Sequence, residues 1–184
     1  MDKILLRFID ICRLRAGPQD LPTSKFLMTI TLLAYGLLVV LLTAGDQGPG
    51  VAVQVAVVAT LTLAGLAYIV LWVRDFTERY VQLLTAMAGC GVLLELIRWP
   101  LVLMQQYGAN DGGSFFVVTA AILLWGLLVW EVAIIANIFK HGLDTSMWMA
   151  AIISCFYVFL SFRIMRTLFF NAEVAEVATA VPVT

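Results

Sequence analysis

Four ionisable residues, Glu95, Arg98, Glu131 and Arg163, stand inside stretches of sequence otherwise apolar enough to cross a membrane. An ionisable group at bilayer depth costs at least a few kcal/mol unless it is paired or faces a wet cavity, so each needs a partner or a purpose. Glu95 and Arg98 share the run VLLELIRWP, residues 92–100, and their three-residue spacing on a helix lets them pair locally. Arg98 also lies near enough to a span end to reach outward past Trp99, an aromatic anchor, with Pro100 bending or loosening the last turn. Glu131, between Trp130 and Val132, has two readings. One is a neutral carboxyl hydrogen-bonded to another span; the other is a proton or cation site.

The remaining reactive side chains form no constellation. Cys12, Cys90 and Cys155 are scattered with no C-x-x-C pair, so free, mostly buried thiols are expected. His141 is the single histidine and stands beside Lys140, which excludes a multi-histidine haem or zinc site supplied by this chain. No Ser or Cys nucleophile has a histidine base nearby, and no glycine-rich loop follows a strand to hold phosphate. Asp111, Gly112 and Gly113 are turn chemistry. The expectation is a protein without catalytic residues, metal or cofactor.

What must position the four charges is a membrane-spanning scaffold. The chain is 62% hydrophobic and 12% charged, against roughly 45–50% and about 25% in soluble domains, and its mean hydropathy is +1.00. A net charge of −1 argues against nucleic acid, whose phosphates need a clustered basic surface. The fold class is therefore all-α, a polytopic bundle of five transmembrane helices preceded by an amphipathic N-terminal helix. The five apolar runs are residues 26–44, 51–73, 81–104, 115–139 and 147–170, each close to the ~20 residues a span needs. Residues 45–50, GDQGPG, make the first two spans a hairpin, and residues 171–184 form a short tail.

Residues 1–25 comprise the amphipathic helix and its connector. Lys3, Arg7 and Arg13 fall on a polar face and Phe8 on the apolar one. The pattern suits a helix lying in the membrane interface among anionic headgroups, and equally a helix folded back on its own bundle. Gly17, Pro18 and Pro22 keep the connector extended until Thr23 or Ser24 caps the first span. Small residues recur every four positions at Ala52, Ala56, Thr60 and Ala64 and cluster at Ala88, Gly89 and Gly91, where helix backbones can approach within the bundle or across a dimer face.

Lys and Arg concentrate before the first span, between the second and third, and after the fourth. By the positive-inside rule the N-terminus is expected on the cytoplasmic side and the tail on the far side, with Arg163 and Arg166 weakening the rule without reversing it. Depth then follows from the rise of about 1.5 Å per residue: roughly 21 Å for Glu95, 26 Å for Arg98, 24 Å for Arg163 and only about 12 Å for Glu131. The expected interhelical pair is Glu95 with Arg163. Glu131 is left unmatched.

Residues 127–169 carry a Trp, a polar position, Ile, Phe, a basic residue and a Gly-Leu turn into the last span, and GPQDLPTS follows a short basic helix. In these features the chain resembles bacterial membrane proteins of the Yip family, named after Rab-GTPase-interacting membrane proteins. The resemblance implies a five-span, non-enzymatic protein that binds partners or organises membrane. The leading expectation is an adaptor or accessory subunit whose partners are membrane lipids and other membrane subunits, or a second copy. Alternatives are a small transporter or channel subunit using the intramembrane Glu and Arg, and an accessory subunit of a respiratory or photosynthetic assembly.

Overall fold

The computed structural model describes residues 2–109 and 113–170. The expected turn at Asp111 and Gly112, the tail 171–184 and the side chain of Lys3 lie outside the described residues.

Among the described residues six α-helices follow in order: α1 (Asp2–Cys12), α2 (Lys25–Gln47), α3 (Pro49–Val73), α4 (Tyr80–Tyr107), α5 (Ser114–Gly142) and α6 (Met147–Met165), the last passing into a π turn, Arg166–Phe170. Five of them are long and apolar enough to span a membrane. Their ends are set by local chemistry. Ser24 Oγ accepts the Leu27 N–H at 3.3 Å to start α2, and Ser146 Oγ accepts the Met149 N–H at 3.4 Å to start α6. Between α2 and α3 the chain reverses at Gly48, whose φ of 79° a side chain would resist, and Pro49 occupies the first turn of α3, where its missing N–H costs nothing. α4 continues two turns beyond Pro100.

α2, α4, α5, α6 and α3 form a ring in that order, closed by the α2–α3 hairpin, with α4 also touching α3. α4 is its hub: half of its most apolar window is buried, against 6% for α2. The sequence LLTAMAGC explains this, because Thr85, Ala86, Ala88 and Gly89 let neighbours close in on every side and residues 83–90 are all buried. Gly91 admits the ring of Tyr35 from α2; a Cβ there would stand 3.1 Å from it. On α3, Ala52 and Ala56 are buried, Thr60 Oγ1 would meet a Cβ on Gly36 at 3.3 Å, and the Ala64 carbonyl accepts the Tyr80 hydroxyl at 3.2 Å.

α1 folds back across α4 and α5 at one end of the bundle. Phe8 and Ile11 are buried, and the Phe8 ring occupies the space that a Cβ on Gly89 would need. Side chains from the spans then take up backbone carbonyls that the end of α1 and its connector leave open: Trp130 Nε1 donates to Cys12 at 3.1 Å, Asn137 Nδ2 to Ala16 at 3.0 Å and Gln82 Nε2 to Leu21 at 2.9 Å. Of the two readings of the N-terminal helix, docking describes its inner face. Its outer face keeps Leu5, Leu6, Ile9, Arg7 and Arg13 exposed, a mixture suited to the headgroup boundary. The loops at this end are tied by Arg79, whose Nη1 donates to Asp144 Oδ2 at 2.7 Å and to the carbonyls of His141 and Gly142 at 3.3 Å. The cysteines are free, but only Cys90 is buried; Cys12 is half-buried and Cys155 exposed.

Candidate functional site

Helical periodicity aims a stripe of α4 and a stripe of α5 into the ring. On α4 the inward positions include Cys90, Leu94, Glu95, Arg98 and Val102, and on α5 Leu124, Leu128, Glu131, Ile135 and Ile138. These three- and four-residue steps keep each set on one face. The space they enclose with α2, α3 and α6 is a cavity of about 660 Å³. Along α4 it runs from Met87 to Val102, fifteen residues or about 22 Å. The wall is mostly aliphatic, with aromatic side chains at Tyr35 from α2, Trp125 from α5, and Tyr157 and Phe162 from α6.

Arg98 stands at the centre of the charged part of this wall. Its Nη1 meets Glu95 Oε1 at 2.5 Å and its Nη2 meets Glu131 Oε2 at 2.6 Å, so one guanidinium bridges carboxylates on two helices. A planar, permanently charged fork is suited to that geometry, which a lysine's single ammonium would not reproduce. The three side chains retain 17% (Glu95), 32% (Arg98) and 27% (Glu131) of their surface. They are paired without being sealed.

This arrangement corrects two expectations. Glu131 is matched in depth after all. Gly142 packs on Leu83, since a Cβ at Gly142 would stand 2.5 Å from Leu83 Cδ1. Counted from that level, Glu95 is twelve residues up α4 and Glu131 eleven up α5, about 18 and 16 Å. Aligning residue 81 with residue 139 from the ends of the apolar runs misplaces this register by about 7.5 Å, because α5 continues past Phe139 to Gly142 and meets α4 at Leu83, above residue 81. Arg98 consequently turns inward to Glu131 instead of outward to the interface.

The second correction concerns Arg163. It is exposed, and no ion pair with Glu95 or any other described residue forms. The inward positions on α6 are Tyr157, Val158, Ser161, Phe162 and Met165. At about 100° per residue Arg163 falls on the opposite side of the helix. Its depth suited Glu95; its direction did not.

Ser161 Oγ, also on the wall, is shielded from solvent and has no hydrogen-bond partner among the described residues. No three metal-ligating side chains converge among the described residues. At the α1 end a smaller notch of about 260 Å³ lies between Pro18, Gln82, Arg79, His141 and Asp144. Chemically, the large cavity offers an apolar and aromatic wall with one ion triad. That combination can hold a guest and meet a charge.

The aromatic residues of the wall were not singled out in the sequence, although Tyr157, Ser161 and Met165 repeat at four-residue steps. Tyr35 and Trp125 carry no such signal, since apolar aromatics are equally common on lipid-facing surfaces.

No family model, curated protein or solved structure matches this chain, and the resemblance to Yip proteins identifies no family for it.

Proposed function

We propose that the chain is a non-enzymatic membrane protein that receives a small amphiphilic molecule inside its five-helix bundle, as a small transporter or carrier subunit does. One observation carries the reading: the cavity of about 660 Å³ that all five spanning helices line, with Glu95, Arg98 and Glu131 facing into it. Ligand sites are typically concave, of roughly 300–1,000 Å³, mostly apolar, with a few convergent polar groups. Ionisable residues inside a membrane protein face such cavities when they serve solute binding. The α3–α6 seam, the sparsest contact that closes the ring, is the natural entrance from the lipid.

Native mass spectrometry of the full chain released from lipid nanodiscs tests this. A small amphiphile retained on the wild type and lost from Ser161→Trp, which projects an indole into the cavity, supports binding. An unchanged mass spectrum in the two proteins overturns it.

The adaptor reading draws on a different feature. Phe26, Ile30, Leu33, Leu37 and Leu41 form an exposed stripe along α2, the least buried span. Together with the likeness of residues 127–169 to Yip proteins, the stripe suits docking on another membrane subunit. Crosslinking in cells followed by mild solubilisation tests it; a reproducible bare monomer counts against it. In either reading the basic residues around α1 and the two loops beside it support a cytoplasmic α1 end and a periplasmic C-terminus, with a bacterial inner membrane as the proposed setting. A C-terminal reporter active only outside the cytoplasm is the corresponding test.

A further inference from the structure

With both carboxylates ionised, the Glu95–Arg98–Glu131 cluster holds two negative charges against one positive, a net −1. Among the described residues no other charged side chain lines the cavity to balance it. An uncompensated charge in a low-dielectric interior is costly, and the cost falls when a cation takes up the surplus. Arg98 is held by one oxygen of each glutamate, while both glutamate side chains keep part of their surface open to the cavity they line. The surplus is therefore within reach of a guest.

The rest of the wall specifies what kind of cation. Tyr35 and Tyr157 line the same cavity as the triad, with the more exposed Trp125 and Phe162 at its wall, and ring faces attract organic cations while also packing against apolar groups. A small inorganic ion would need several oxygen ligands to replace its water, which two carboxylates already engaged by Arg98 do not provide. An anion would meet net negative charge. A neutral guest would leave that charge uncompensated.

Resting on the binding role above and naming its guest, we propose that the cavity takes a lipophilic organic cation, such as a quaternary ammonium or phosphonium compound. Its charged centre lies against Glu95 and Glu131, and its apolar body fills the space between α3 and α6.

Tetraphenylphosphonium and tetraphenylborate are suitable probes because they are nearly equal in shape and opposite in charge. Equilibrium dialysis of the full chain in nanodiscs of uncharged lipid, corrected for empty nanodiscs, measures both. The expected result is saturable binding of the phosphonium, at least tenfold weaker binding of the borate, and at least a tenfold loss of phosphonium affinity in Glu131→Gln. Glu131→Asp, which keeps the charge, should retain most of the affinity, and Ser161→Trp should abolish it. Thermal unfolding of each variant in the same nanodiscs separates lost binding from lost fold. Equal saturable binding of the two probes overturns the cationic guest while leaving a binding cavity. Absence of binding by either overturns both readings.

Discussion

The α1 end of this bundle and its middle use polar side chains in opposite ways. At the α1 end, Trp130, Asn137 and Gln82 donate to the carbonyls of Cys12, Ala16 and Leu21, and Phe8 fills the hollow over Gly89. Each of these three donors is neutral, each of their acceptors is backbone, and the outcome is a docked helix. Midway along the spans, Glu95, Arg98 and Glu131 are charged, unequal in sign and open to a cavity. A neutral donor on an otherwise open carbonyl adds stability at small desolvation cost. A partly exposed ion triad adds little stability for its cost, and is better explained by what it faces.

If that contrast holds, the largest effect belongs to Arg98. Arg98→Ala leaves two carboxylates opposite each other and should destabilise the bundle by about 1–4 kcal/mol, between the cost of losing an exposed pair and that of breaking a fully buried one. Thermal unfolding in a fixed detergent measures it. Arg98→Ala combined with Glu131→Ala should cost less than the sum of the two single changes, as expected for residues in contact, whereas Glu95→Ala and Arg163→Ala should add within about 0.5 kcal/mol. Coupling of the second pair and additivity of the first would invert the assignment of partners.

Next in size is the packing beneath α1. Gly89→Val places a side chain where the Phe8 ring lies, an overpacking expected to cost about 1–3 kcal/mol. The α1 helix should lift, which trypsin cleavage after Arg13 and Arg15 would report as a faster nick at unchanged spans. A protected site in the variant would mean that the ring has another place to go.

Asn137→Ala removes the donor to Ala16, and the loss should be about 1 kcal/mol, within the usual range for one hydrogen bond. It should raise hydrogen exchange in the connector 17–24 without altering binding of the cationic probe. A change in probe binding would show that the two regions are coupled.

The smallest effect belongs to Arg79→Ala. Its pair with Asp144 is exposed at 43% and 65% of the side-chain surface, and such pairs contribute about 0–1 kcal/mol. Unfolding in low and high salt checks this, with any difference between variant and wild type shrinking as salt rises.

Composition and hydropathy alone determined that the chain is all-α, that it has five spans and that a short amphipathic helix precedes them, because each of these is a property of consecutive residues. A cap at Thr23 or Ser24 and a turn within residues 45–50 were legible for the same reason; that Ser24 caps and Gly48 turns was decided by the backbone. The local Glu95–Arg98 pair also needed only a spacing of three along one helix.

Which helix faces which, at what height and in which direction, was settled by tertiary packing. Leu83 against Gly142 set the register that brings Glu131 to Glu95, and the direction of α6 carried Arg163 away from both. A shift of a few residues between apolar helices changes hydropathy hardly at all, yet it moves a charge by several ångströms, enough to exchange one ion partner for another. The cavity itself is the space left when five helices close a ring, and no single stretch of sequence encodes it.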